Sequence, residues 1–484
     1  MRNPSLTLHS TFRQFNQILL LWTVLGLWPV SILQAEVLQV GKNQPFGSVM
    51  TALFSAKPGD TIQVFAGTYT GSIRLNKQII LEGIGKPIVH GSGKGSVIEV
   101  LAPGCVVRGL IIEHGGEDLQ NEDSGILLKS NSNVVENNEL RDTLFGIYLF
   151  QSSGNRILQN RIQGRVELEM GERGAGIHLW NSTNNRIEGN QIHEARDGMY
   201  IQNSSHNLIR INKVTRLRYG LHYMNSDDNI FEDNVFAYNV AGAAIMYSRH
   251  IQFRRNAFMH NRGFSSFGIL FQGCEDNLAE NNLIVDNVTG LFLEAVYGTV
   301  FIKNVVAEND VAMQIFSSSD HNLFSENQFV DNLSPLQMVG KTTGSSWHRG
   351  DTTDFWNLDS ASASGVNGRG NFWSDYDGYD LDGDGIGDVP HKIQNVFEYM
   401  EGNYPRLRLY LDSPAAQALS LAEKVFPVVP GSAEVDPAPL MRRMESPMPA
   451  IIPEASPAFH GTLGTLSLTM LAGGLVVVGK GFKR

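Results

Sequence analysis

Two groups of residues in this chain could do chemistry. The first is the run Asp380-Leu381-Asp382-Gly383-Asp384-Gly385-Ile386-Gly387-Asp388, which sets carboxylates at loop positions 1, 3, 5 and 9 with glycine at position 6. Oxygen donors at those offsets are how a loop wraps calcium, and the glycine supplies the sharp turn. Position 12 is His391 where an EF-hand has a bidentate glutamate. Calcium held by Asp380, Asp382, Asp384 and Asp388 to order a C-terminal cap, and a plain acidic turn, both stand open. The second group is softer: His222 and Met224 follow Gly220, and Met246 follows Gly242 at the offset of Met224. Thioethers with an imidazole suit Cu(I), held transiently. Three ligands on a flat face are poorly enclosed, so the plainer reading is an apolar docking patch without metal.

A repeat would bring those residues together. Gly176, Gly198, Gly220 and Gly242 recur every 22 residues, as do Gly268 and Gly290; Gly125 and Gly146 extend the series backwards and Ala312 stands in at its far end. Each marker opens a short apolar alternation, and asparagines follow nine and fourteen residues later, as at Asn185 and Asn190 or Asn207 and Asn212. Such a period means stacked coils. Parallel crossovers prefer one hand. The expected fold is therefore all-β, a right-handed parallel β-helix of about 22 residues per coil. The asparagine columns stack at turns, and the Asn-x-Ser/Thr triplets at Asn181, Asn203 and Asn287 read as structural.

Within each coil Ile177 and Leu179, or Met199 and Ile201, face the core and their neighbours face out. The outward pairs are Tyr148/Phe150, His178/Trp180, Tyr200/Gln202, His222/Met224, Ala244/Met246, Leu270/Gln272, Phe292/Glu294 and Gln314/Phe316. So aromatic and sulfur-bearing a face predicts a partner macromolecule as its occupant. His178, Trp180, Tyr200, His222, Met224 and Met246 are its candidate docking or copper residues. Two coils run long: Gly146 to Gly176 is 30, eight above 22, and Gly242 to Gly268 is 26, four above 22. Both insertions precede a marker at the same corner, which predicts a binding face there. His193, Glu194, Arg196, Arg216 and Arg218 form a polar rim beside it, and solvated loop charge explains them equally well.

The net charge of −11 and the lack of a long basic run exclude a nucleic-acid backbone as main partner. Arg2 and Arg13 precede an apolar run from Ile18 to Leu33 and Gln34-Ala35-Glu36. That reads as an export signal cut after Ala35, with an uncleaved anchor as the alternative. The division expected is 1–35 signal peptide, 36–335 β-helix, 336–412 C-terminal cap with the Asp-rich loop, 413–458 Pro/Ala-rich linker, and 459–484 apolar tail or membrane anchor. A helix is expected from Phe46 to Phe54 in an N-terminal cap, then strands at Thr61–Phe65, Ile73–Leu75 and Gln78–Leu81. Cys105 and Cys274 sit about seven coils apart, over ~30 Å, too far for a disulfide. Asp197 is the one carboxylate in the column before the markers, and a glycan-cleaving site needs a converging pair. No catalytic residue is expected.

The runs GLHYMNSDDN (220–229), VAGAAIMYSR (240–249), NRGFSSFGIL (261–270) and NFWSDYDGYDLDGDGIGD (371–388), with KPGDTIQVFAGTY (57–69), resemble the NosD maturation proteins of nitrous oxide reductase over roughly residues 36 to 405. The resemblance implies a periplasmic, non-enzymatic assembly factor for the reductase's copper–sulfide centre. It implies as partners an ABC transporter of ATPase and permease, a membrane-bound copper chaperone and nitrous oxide reductase itself, with a sulfur species as cargo and an old copper-binding label. It supplies no catalytic residue. Separately, the apolar run Leu463–Val478 followed by Lys480, Lys483 and Arg484 reads as a tether or a sorting tail. An exported carbohydrate-active or adhesive β-helix is the competing expectation.

Overall fold

The computed structural model describes residues 35–340, 344–349, 368–393, 413–415, 418 and 434–445. The expected export signal and the apolar C-terminal tail lie outside the described residues. Among those described, no helix is long and apolar enough to cross a membrane.

The chain winds as a right-handed parallel β-helix of about 14 turns with about 22 residues per coil. Three parallel sheets form its faces. Among the described residues the marker sheet has 12 strands, from Ile73–Leu75 to Ser334–Val339; a second sheet has 13, from Val37–Val40 to Leu323–Ser325; a third has 13, from Thr68–Thr70 to Phe372–Trp373. Each coil passes through the marker, second and third sheets in turn, as in Asp197–Gln202, Leu208–Arg210 and Lys213–Thr215. Strands of the marker sheet begin one residue before the glycine, except Ile177–Trp180, which follows Gly176. Pairing is in register, with Ile177 on Met199, Met199 on Leu221 and Leu221 on Ala243. The alternation buries Ile177, Leu179, Met199 and Ile201 completely.

The marker is glycine because of close approach. A Cβ on Gly220 would stand 2.6 Å from the carbonyl oxygen of Gly242 and one on Gly290 2.6 Å from that of Ala312. Asparagines form three buried columns. One runs Asn133, Asn155, Asn185, Asn207 and Asn229, each accepting the amide N–H of the residue one coil before at 2.6–2.9 Å. Another runs from Asn138 through Asn212 and Asn327 to Asn371. The third, Asn239, Asn261, Asn287 and Asn309, starts halfway along and was not visible in the two-column pattern. From Asn138 to Asn327 the residue before each member of the second column adopts positive φ, as at Asn137, Ile211, Arg255 and Asn281.

The ends depart from expectation. The helix spans Val49–Ser55 rather than Phe46 to Phe54, because Ser48 caps it by accepting the Thr51 N–H at 3.2 Å, and Phe46 bridges to Val40 instead. The strand expected at Gln78–Leu81 is Ile80–Ile84. Residues 434–445 fall in the stretch read as a linker, yet they pack on the last rungs. Val435–Asp436 pairs antiparallel with His391–Lys392, and Leu440 is buried. Asp436 accepts Asn371 N–H at 2.7 Å and Trp373 Nε1–H at 2.9 Å, and Glu434 accepts Trp347 Nε1–H at 2.7 Å. Buried donors need partners, and this segment supplies them. Cys105 and Cys274 are free and buried.

Candidate functional site

Strand register stacks Tyr148, His178, Tyr200 and His222 on successive rungs of the marker sheet. Their rings form a ladder with centroids 4.5, 4.7 and 4.6 Å apart and planes within 19°. The column continues as Ala244 and Leu270, so aromatic stacking stops at His222.

Four long loops among the described residues, not two, leave the corner between the third and marker sheets. Besides residues 165–176 and 260–266, residues 91–97 bridge Ile88–His90 and Ile98–Val100, and residues 114–123 bridge Ile111–Glu113 and Ser124–Leu128. Arg165, 5% exposed, ties two of them together: its guanidinium reaches Glu117 at 2.6 Å, the Gly115 carbonyl at 2.9 Å and Asp142 at 3.1 Å. Leu168 packs with Leu144, Phe145, Ala175 and Tyr200. These loops roof the start of the ladder, which corrects the expectation that the whole column meets a partner. Tyr148 and His178 are only 4% and 2% exposed. His178 lies 3.6 Å from Glu122, and among the described residues neither ring nitrogen has a hydrogen-bond partner. Burial, then the charge of Arg196, drives its pKa down to about 3, so the ring is neutral. His178 is part of the interior. Trp180, half-buried, occupies the outer column between Phe150 and Gln202.

Past the roof the face opens. Tyr200, His222, Met224 and Met246 are half-buried, and Met224 pairs in register with Met246. The Tyr200 hydroxyl sits 2.5 Å from Gln202 Oε1 and 3.9 Å from Met224 Sδ. His222 Nδ1 lies 3.4 Å from Asp197, and among the described residues its Nε2 has no hydrogen-bond partner. The second insertion forms the far wall, with Phe264 98% exposed at its tip and Arg262 clamped by Asp286 and Asp310 at 2.8 and 2.9 Å.

Asp197 is the hub that sequence reasoning undervalued. It is fully buried and takes a bidentate bond from Arg218 at 2.9 and 2.7 Å, with Arg196 at 3.4 Å and His222 beyond. Burial would raise its carboxyl, but hydrogen bonds from His222 and Arg218 and the charge of Arg218 hold it below the usual range. The signal is present in the sequence: Asp197 and Arg218 stand at neighbouring positions one coil apart, and the rim arginine Arg218, 39% exposed, reaches inward to the buried carboxylate. His193, Glu194 and Arg216 stay on the corner, Arg216 on Glu194 at 2.7 Å.

In the acidic loop, Asp380, Asp382 and Asp384 each bring an oxygen to within 4.8 Å of the others. Asp388 turns to the Leu381 N–H at 2.7 Å. Backbone N–H groups, Gly385 foremost, hold the Asp380 carboxyl below its ordinary value. His391, at loop position 12, is buried against Trp373.

The family model described as periplasmic copper-binding protein (NosD) matches residues 161–378, and that of a protein of unknown function, DUF1565, matches residues 37–248. The chain is similar to the probable ABC transporter binding protein NosD of Pseudomonas aeruginosa, 34% identical over 402 residues, covering 80% of this chain and 88% of that protein. Its counterpart from Stutzerimonas stutzeri is 32% identical over 403 residues, covering 78% and 86%. Among solved structures, the A-module of the Azotobacter vinelandii mannuronan C-5 epimerase AlgE6 matches 61% of this chain and 92% of its own, with TM-score 0.42 and 13% identity.

Proposed function

The chain belongs to the NosD family, and on that premise we propose that it is a non-enzymatic periplasmic assembly factor for the copper–sulfide centre of nitrous oxide reductase, working with an ABC transporter and a copper chaperone. In this reading it receives Cu(I) at His222, Met224 and Met246 while the reductase or chaperone docks on the open floor around Tyr200 and Trp180. The ATPase and permease of the transporter, and tethering through the C-terminal tail, belong to the same proposal.

The observation that carries the metal reading is the pose of His222. A carboxylate on one ring nitrogen fixes tautomer and orientation and leaves the other nitrogen as a donor. Asp197 holds Nδ1 in this way, beside two thioethers in register. A soft set of one imidazole and two thioethers fits Cu(I). Bound there, the ion would be supplied as cargo; the protein's part is to orient the imidazole and shield one side with the Tyr200 ring. The non-enzymatic reading rests on Asp197 being committed to two guanidiniums and an imidazole. It is ionised at neutral pH, and glycan chemistry would need a second carboxyl group in a protonated state opposite it.

Cu(I) titration against a competing chelator tests the site. His222→Ala, or Met224→Leu with Met246→Leu, should weaken binding about tenfold or more, each lost ligand costing at least ~1.4 kcal/mol. Wild-type affinity in the triple variant ends the metal reading. A deletion strain tests the wider role: it should accumulate reductase lacking its copper–sulfide centre, and intact reductase there would reject it.

One observation favours the alternative, an exported carbohydrate-active or adhesive β-helix, on its sugar-binding side. An open polar cleft of about 460 Å³ is lined by Asp227, Tyr247, Arg249 and Glu275, with Tyr247 55% exposed. Aromatic rings beside carboxylates hold sugars, so saturable oligosaccharide binding abolished by Tyr247→Ala would favour that reading.

A further inference from the structure

The third sheet carries a feature that copper handling does not use. Its outward columns place Arg161, Gln191 and Lys213 on three successive rungs, with Gln163, His193 and Thr215 beside them. Around His193 they enclose a recess of about 150 Å³, with Arg216 at its edge. Among the described residues, Arg161 and Lys213 have no carboxylate partner, and only Arg216 is paired, to Glu194. Both His193 ring nitrogens are shut off from solvent, and neither has a hydrogen-bond partner.

The arrangement is unfavourable as it stands. Two uncompensated cations two rungs apart flank the recess, and a half-buried imidazole whose hidden nitrogens lack partners forfeits its hydrogen bonds. Burial and then the charges of Arg216 and Arg161 hold His193 below its ordinary range, so it does not relieve the deficit by ionising; as a neutral ring it offers one donor and one acceptor. The rest of a chain with net charge −11 gives no reason for positive charge to collect here. A small anion resolves every element at once. It neutralises Arg161 and Lys213, fits a recess too small for a nucleotide or a sugar chain, and takes a hydrogen bond from His193 once the ring turns an N–H into the recess.

We propose that Arg161, His193, Lys213 and Arg216 form a binding site for a small inorganic anion of phosphate, sulfate or hydrosulfide size. The site lies on the third sheet, one corner away from the His222 floor, and stands whether or not copper binds there.

Isothermal titration of the purified protein with sodium phosphate, sodium sulfate and sodium hydrosulfide, at ionic strength held constant with sodium chloride, tests it and separates the sources. At least one should bind saturably. That binding should fall tenfold or more in Arg161→Gln/Lys213→Gln and in the milder Lys213→Gln, and persist in Arg74→Gln on the marker sheet. Thermal melts monitored by circular dichroism keep a folding defect from passing as lost binding. The site is overturned if none of the three anions binds above chloride, or if the folded double variant binds as tightly as wild type. Neither result alters Cu(I) affinity, which reads the other site.

Discussion

His178 stacks between two tyrosines with both nitrogens unpartnered and a pKa driven down to about 3 by burial and then by Arg196. In the unfolded chain the same ring titrates near 6.5. Between those values the unfolded state holds the extra proton, so stability falls as pH drops below 6.5 and stops falling near 3. His178→Phe keeps the stack and removes the titration. Wild type should therefore lose about 1.5 kcal/mol relative to that variant between pH 6.5 and pH 5. Chemical denaturation at the two pH values measures it, and an unchanged difference would mean that the folded ring takes up its proton as readily as the unfolded one. The residue scale is also where sequence reading failed most. The Met224–Met246 pairing followed from the period alone, and the structure has it in register. The burial of His178 did not follow, because it depends on residues 114–123 and 165–176 folding back over the sheet, and loop direction leaves no periodic trace.

The rungs themselves were legible because a parallel solenoid repeats its constraints at fixed spacing. Glycine recurs where a carbonyl of the next strand occupies the place of a Cβ, and asparagine recurs where a turn needs a buried amide. The third asparagine column escaped notice because it begins only at Asn239. One position in the turn slot is poorly matched. Ile211 sits at φ 55°, where Asn137 and Asn281 serve in other coils. A β-branched residue in that left-handed conformation costs about 1–2 kcal/mol. Ile211→Asn should therefore raise stability by about 1 kcal/mol, seen as a higher melting midpoint; a drop would mean that the Ile211 side chain contributes more by packing than it loses in the turn. For the acidic loop, three of the four aspartates converge. If calcium orders it, EGTA should lower the melting midpoint and Asp382→Asn should abolish that response. An EGTA-insensitive midpoint would leave a plain acidic turn.

At the scale of the whole molecule, long loops on one corner divide a uniform rod into a roofed stretch, an open floor and a far wall. They set one stretch of the face apart on a scaffold whose other rungs look alike. The second asparagine column also has a direction: each side chain accepts from the coil before it, and the series ends at Asn371. A carboxylate, Asp436, receives that final amide together with the indole of Trp373. Deleting residues 434–445 should strand those donors and bare the edge strand Phe372–Trp373, an invitation to pair with another molecule. Light scattering on the truncated protein should then report head-to-tail oligomers growing with concentration, where the intact protein stays a single particle. A dozen residues at the far end thus act as a chain terminator, and a protease that removed them would turn a capped rod into the seed of a filament.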